Sequence, residues 1–301
     1  PTLASVASSG DYNDLINKPV VDGSETKVNA GSNVTITGEG TTGNPYVVNA
    51  AGGSGWNVTG NTGLVDGTNF IGNVDDRPLE IRVNNQRAGR VEGDSFSNNN
   101  RDNTSLGYKA GDAITSGSSN LALGSGSLGA NTTGNENTAV GSYALESNTQ
   151  GSFNTALGGA ALAGNLTGSE NVAIGSSSLF ANVAGSRGIA IGYSAMQYAN
   201  NTSTAFINKN VAIGYTALRG PGNASLNTGN NNTAIGYEAM LTNATGSDNI
   251  GIGYQALSGI ASGSGLTVIG STAGVDNENL TNVTALGYGA RATASNSIQL
   301  G

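Results

Sequence analysis

The sequence contains no cysteine and no histidine. Without cysteine, neither a disulfide framework nor a thiolate metal site is possible. Without histidine, the commonest general base and metal ligand is gone, and so is every Ser-His or Cys-His nucleophile arrangement. Large side chains are also scarce: 301 residues include two Met, one Trp and five Phe, and 37% are apolar. That is lean for a globular core. Only 11% of residues are charged, with a net charge of −8, so the basic footprint of a nucleic-acid binder is missing. No apolar run approaches the length of a membrane span. No signal-peptide pattern opens the chain, but it begins at Pro1, which leaves targeting open.

Glycine is abundant, at 48 residues, among many Asn, Thr and Ser. Such a composition by itself suggests disorder. A strict period argues otherwise. From Asn103 onward a short phrase recurs: Thr or an aliphatic residue, usually Ala, then Leu, Ile or Val, then Gly. Its closing glycines are 107, 124, 141, 158, 175, 192, 214, 236, 253, 270, 287 and 301; eight intervals are 17 residues, two are 22 and the last is 14. A fixed period of this kind marks a stacked repeat.

Aligned on the glycine, the preceding residue is always aliphatic, from Leu106 and Leu123 to Leu286 and Leu300. Alternation makes the phrase a short strand with one larger apolar face and one small Ala face. Asn stands four before the glycine in eight of the first nine repeats, from Asn103 to Asn249; in register these side chains could form a ladder. A second apolar column, Leu or Met, lies four after it: Leu128, Leu145, Leu162, Leu179, Met196, Leu218, Met240 and Leu257. One strand and one further apolar position per cycle suit a coil of a β-solenoid. Helical solenoids need longer repeats. Twelve coils at the strand spacing would extend about 58 Å.

The chain divides into four stretches. Residues 1–20 read as an extended connector, with turn formers at Gly10-Asp11 and Asn13-Asp14 and Pro19 holding Lys18 extended. Residues 21–55 form a small β module with strands at Asn33–Thr37 and Tyr46–Val48; Ala51 to Gly55 is a flexible break. Residues 56–97 form a second module. In it Leu79, Ile81 and Val83 share one strand face, and a turn at Asn84-Asn85 leads to Arg90-Val91. Trp56 is read as an anchor for a thin core rather than a sugar platform. Residues 98–301 are the repeat.

Asn-Val-Ala-Ile-Gly at 171–175 and 210–214 resembles the repeat of the left-handed β-roll head of trimeric autotransporter adhesins. The 17-residue cycle, with Tyr after Gly and Ala-Leu beyond, is similar to repeats of phage and bacterial tail-fibre proteins. The segments Ser9–Leu15, Asn17–Pro19, Asp22–Asn49 and Trp56–Arg90 also resemble tail-fibre modules. The resemblance implies an all-β, elongated homotrimeric fibre: small N-terminal β modules, then a left-handed parallel β-roll of about twelve repeats. The adhesin repeat is nearer 14 residues, so the longer cycles here imply bigger turns. Such fibres often continue into a self-cleaving chaperone domain, which the resemblance would place after Gly301.

Two cycles are longer by five residues, with the extra length inside Ala199–Asn208 and Arg219–Thr228. Insertions in a solenoid map to loops on one side, often a binding side. Phe206, Ile207, Arg219 and Pro221 are expected to be exposed there and are the candidate receptor-binding residues; the alternative is a tolerated surface excursion. Five before the glycine, Glu170, Arg187 and Lys209 would stand in one column, a solvated charge ladder rather than a catalytic pair. The Gly-Gly-x-Gly-x-Asp pattern of calcium rolls is missing, and no cofactor motif is present.

The expected function is non-enzymatic. A fibre would attach a phage or phage-tail-like particle to a cell surface through many weak contacts to a host glycan or protein. Baseplate or other fibre proteins would bind at the N-terminal side; neither nucleic acid nor membrane insertion is expected. The expected location is a virion tail fibre or extracellular particle surface. The alternatives are a bacterial surface adhesin and a polysaccharide-degrading tailspike. An ice-binding solenoid needs an unbroken Thr ladder, but Leu121, Val172, Ile189, Val211 and Ile250 interrupt the Thr column.

Overall fold

The computed structural model describes residues 34–37, 43–44, 47–50, 78–92 and 102–301. The chain forms two units, Pro1–Ile71 and Gly72–Gly301. In the first, β1 (Val34–Thr37) pairs antiparallel with β2 (Val47–Ala50), where alternation and β-branched residues place them. The connector 1–20 and Trp56 lie outside the described residues.

The second unit is an all-β solenoid. Its first strands, β3 (Leu79–Val83) and β4 (Gln86–Val91), form an antiparallel hairpin. Asn84 and Asn85 make its two-residue turn with φ of +48° and +57°, the left-handed geometry that matches strand twist and that Asn tolerates. The other strands of the main sheet each come from one repeat: β5 (Thr104–Leu106), β6 (Leu121–Leu123), β7 (Thr138–Val140), β8 (Thr155–Leu157), β9 (Val172–Ile174), β11 (Ile189–Ile191), β13 (Val211–Ile213), β14 (Thr233–Ile235), β15 (Ile250–Ile252), β16 (Ser264–Ile269), β18 (Thr281–Leu286) and β20 (Ser297–Leu300). The remaining strands, β10 (Gly185–Ser186) with β12 (Phe206–Ile207), and β17 (Gly274–Val275) with β19 (Arg291–Ala292), form two small parallel pairs at other coil positions.

The main sheet has fourteen strands; without the hairpin, twelve remain, one per repeat. Those twelve are parallel and in register, so Ala139 lies beside Ala156 and Val140 beside Leu157. The hairpin joins the first edge of the same sheet, with Val91 opposite Thr104 and Gly89 opposite Leu106. It therefore occupies an edge that would otherwise expose unpaired backbone.

The small face of the regular repeat strands points inward. Ala122, Ala139, Ala156, Ala173, Ala190 and Ala212 are buried, while the residues on either side are exposed or half-buried. From across the coil, Leu128, Leu145, Leu162, Leu179, Met196 and Met240 fill the interior. One coil is too thin for two large layers. A large side chain from the turn leaves room only for Ala on the strand. The turn also determines why these leucines face in: Leu128, Leu145, Leu162 and Leu179 have φ between +49° and +54°, a region rare for such residues and held here by their burial.

Asparagine forms two ladders through the core. In the expected one, Asn120, Asn137, Asn154 and Asn171 each donate Nδ2 to the Oδ1 of the preceding member at 3.0–3.1 Å. Each Oδ1 also accepts a backbone N–H from the next coil. At Gly188 the column lacks a side chain, and Asn208 lies against that glycine. The second ladder, Asn131, Asn148, Asn165 and Asn182, stands seven after the closing glycine and is linked at 2.7–2.9 Å. The 17-residue spacing of Asn131, Asn148, Asn165 and Asn182 is the signal of this second column in the sequence. Both ladders are buried, where an unpaired amide would be costly.

Candidate binding surface

The outer face of the main sheet carries the larger residues. One column runs through Leu106, Leu123, Val140, Leu157, Ile174, Ile191, Ile213, Ile235, Ile252, Ile269, Leu286 and Leu300. The adjacent column mixes Thr with Leu121, Val172, Ile189, Val211 and Ile250. Both continue onto the hairpin, where Ile81 lies opposite Gly89, and Leu79 opposite Val91. Leu106, Ile213, Ile250 and Ile269 are exposed and most others half-buried. The result is a contiguous apolar strip across the solenoid, with no Lys, Arg, Asp or Glu in either column from Thr104 to Leu300.

The tyrosines that follow the closing glycine form a second surface feature. Tyr193, Tyr215, Tyr237 and Tyr254 stack with ring centroids 5.3, 5.0 and 5.4 Å apart and planes within 14°. In-register coils impose this spacing, and stacking covers ring faces while leaving the edges in water. The inner rings, Tyr215 and Tyr237, have a neighbouring ring on both faces, which leaves neither face free to lie on a sugar. The Glu238 charge beside Tyr237 is the main cause of its raised pKa, helped by partial burial and the neighbouring tyrosines.

Of the four residues expected to be exposed on the inserts, only Ile207 is, at 45%. Phe206, Arg219 and Pro221 are half-buried, which corrects that expectation. Each insert rests on the coil in part, while Thr204, Ala205, Gly222 and Leu226 stand exposed. Phe206 lies against Gly185, where an added Cβ would come within 2.6 Å of its ring, and β12 pairs with β10. Asn227 of the second insert donates to the carbonyl of Pro221 in its own insert and to that of Tyr198, the residue just before the first. Asn223 caps the short 3-10 turn Ala224–Leu226 by accepting from Ser225 N. The two inserts thus lie on neighbouring coils and share a small cavity of about 40 Å³.

The charge column does form one pair across coils, Arg187 Nε to Glu170 Oε2 at 2.8 Å, with both side chains about half exposed. The hydrogen bond from Arg187, reinforced by its charge, lowers the pKa of Glu170 and raises that of Arg187. Among the described residues, no group of three His, Cys, Asp or Glu could hold a metal ion, and no helix is long and apolar enough to cross a membrane.

No protein-family model matches this chain, and neither a curated protein nor a solved structure matches it.

Proposed function

We propose that this chain is the structural and receptor-binding part of a homotrimeric fibre that attaches a phage or phage-tail-like particle to a cell surface without enzymatic action. The supporting observation is the uncharged apolar strip on the outer sheet face. A lone chain leaves that strip in water, and contiguous patches of this kind mark interaction surfaces. Three copies laid side by side would cover their strips against one another. In-register parallel strands on each copy make the strip regular enough for close packing along many coils. In this reading the roll is left-handed, the N-terminal modules face the particle, and the sides bearing tyrosines and inserts face outward on the virion or particle. Each contact to a host surface is weak. Three copies raise overall binding by about 10²–10⁴-fold when geometry allows simultaneous engagement.

Sedimentation equilibrium tests the assembly, and binding of labelled protein to candidate host cells tests the function. The expected mass is that of three chains. Ile191→Asp combined with Ile213→Asp should dissociate the trimer and lower cell binding by at least about tenfold, because avidity is lost. A monomeric wild-type protein that still binds cells fully would refute the trimer, and absence of binding to any candidate host would refute attachment.

A further inference from the structure

The first three coils differ from the others along one side. Two residues after the closing glycine they carry Lys109, Gly126 and Tyr143; five after it they carry Asp112, Gly129 and Glu146. The middle coil therefore has only glycine at both places where its neighbours have long or charged side chains. The missing side chains leave an open surface cleft of about 490 Å³ bordered by Gly126 and Gly129, wide enough to seat a small molecule from the solvent side.

Its walls are Tyr108 and Tyr143, 60% and 50% exposed. Unlike the four stacked tyrosines, neither packs on another ring among the described residues. Tyr143 leans over the floor, where a Cβ on Gly126 would come within 2.8 Å of the ring. The equivalent residues Lys109 and Tyr143 carry side chains at φ of +56° and +60°, so it is the Tyr143 ring and not the backbone that leaves no room for one at Gly126. Arg87 of the hairpin donates to Asp112 and holds that carboxylate in place. The Lys109 ammonium stands 5.4 Å from the centre of the Tyr108 ring.

We propose that this cleft binds one pyranose ring of a neutral glycan. A phenol face suits the apolar C–H face of a sugar, and carboxylates accept hydrogen bonds from its hydroxyls. Asp112 and Glu146 sit two coils apart, about 10 Å at the strand spacing, with Gly129 between them at the equivalent position of the middle coil. The two carboxylates balance the charges of Lys109 and Arg87, which favours an uncharged ligand over an acidic sugar or a nucleotide. An extended peptide would need a free sheet edge or an apolar groove, and the cleft offers neither. This assignment rests on the attachment reading, and it names the ligand class and a site near the hairpin end rather than at the inserts.

Saturation-transfer NMR on the full chain, with the methyl glycosides of glucose, galactose, mannose and N-acetylglucosamine, tests it. At least one glycoside should receive saturation. Tyr108→Ala and Glu146→Gln change exposed residues, so both variants should fold, and each should weaken binding by about tenfold or more, equivalent to 1.4 kcal/mol. Tyr288→Ala, outside the cleft, should leave binding unchanged. The proposal is overturned if no glycoside binds, if both cleft variants bind normally, or if a short neutral peptide receives equal saturation. Cell binding separates the two readings. Cells bound equally by wild type and Tyr108→Ala, with no glycoside binding, would sink the cleft and spare attachment. Glycoside binding that the cleft variants abolish, with no cell binding, would sustain the cleft and sink attachment.

Discussion

Asn137 and Asn148 donate to the same oxygen, the carbonyl of Gly151, at 2.9 and 3.0 Å. Equivalent sharing occurs at Gly134 and Gly168. The two ladders are therefore one network, joined once per coil. Asn148→Ala would remove the donor to Asn131 and the acceptor for Asn165, leaving both amides short of a partner in a buried site. Each unsatisfied group costs about 1–3 kcal/mol, so denaturant unfolding should show a loss of about 3 kcal/mol or more. A loss near zero would mean that the network adds nothing to stability.

The second ladder stops at Asn182, whose Oδ1 is buried without a partner. Ala199 holds the next ladder position and borders the cavity beside the inserts. Ala199→Asn should donate to Asn182 and add about 1 kcal/mol. The melting temperature should then rise by a few degrees, about 2–4 °C per kcal/mol at this size. A lower melting temperature would show that the insert geometry leaves no room for another amide.

Two adjacent glycines should respond in opposite ways. Gly158 has a φ of +134°, and a Cβ there would come within 2.7 Å of the Gly175 carbonyl carbon. Gly159 has no such backbone constraint, and its Cβ would meet nothing closer than 3.8 Å. Gly158→Ala should cost about 3 kcal/mol or more through strain and overpacking. Gly159→Ala should remain within about 0.5 kcal/mol of wild type. Equal effects in thermal melts would contradict the close approach of successive coils.

The Glu170–Arg187 pair sets an acid-side dependence. The folded pKa of Glu170 is lowered by the hydrogen bond and charge of Arg187. The pair's contribution is therefore present above the ordinary carboxylate range and is lost as pH falls through the lowered folded value. Arg187→Ala should remove this part of the acid-side stability slope. High salt should mute it in wild type, because both side chains are exposed. An unchanged slope in Arg187→Ala would assign the acid dependence to other carboxylates.

Tyr237 sets an alkaline dependence. Its raised folded pKa, caused first by the Glu238 charge, favours the neutral phenol in the folded chain. That contribution is fully present below the unfolded tyrosine range and is lost as pH rises through the raised folded value. In a tyrosinate absorbance titration Tyr237 should ionise above an ordinary tyrosine, and Glu238→Gln should lower its pKa. A Tyr237 pKa unmoved by Glu238→Gln would remove the carboxylate as the cause.

Much of the solenoid is legible in the sequence because the stack repeats local rules. The Thr-Ala-Val-Gly phrase at 138–141 alternates as a strand must, and its glycine recurs wherever one coil passes close over the next. Strands expected at Asn33–Thr37 and Leu79–Val83, the turn at Asn84-Asn85 and the first Asn ladder follow from the same local signals. The candidate sites are less legible. The five extra residues near Phe206 and Arg219 announce an excursion but not its direction, and both residues lie against the coil instead of projecting. The cleft over Gly126 and Gly129 depends on what the neighbouring coils carry, which emerges only once coils are aligned in space.

By itself, the order of residues determined the period, the number of coils and the alternation of each strand, because a repeat of 17 residues with a glycine at its end allows few other structures. Only the tertiary structure decided which strand face turns inward. Alternation is symmetric about the sheet, and Ala139 or Val140 could each have faced the core. Leu145, entering from the opposite turn with a left-handed backbone, already fills that space, so Ala139 is buried and Val140 is left on the outer strip.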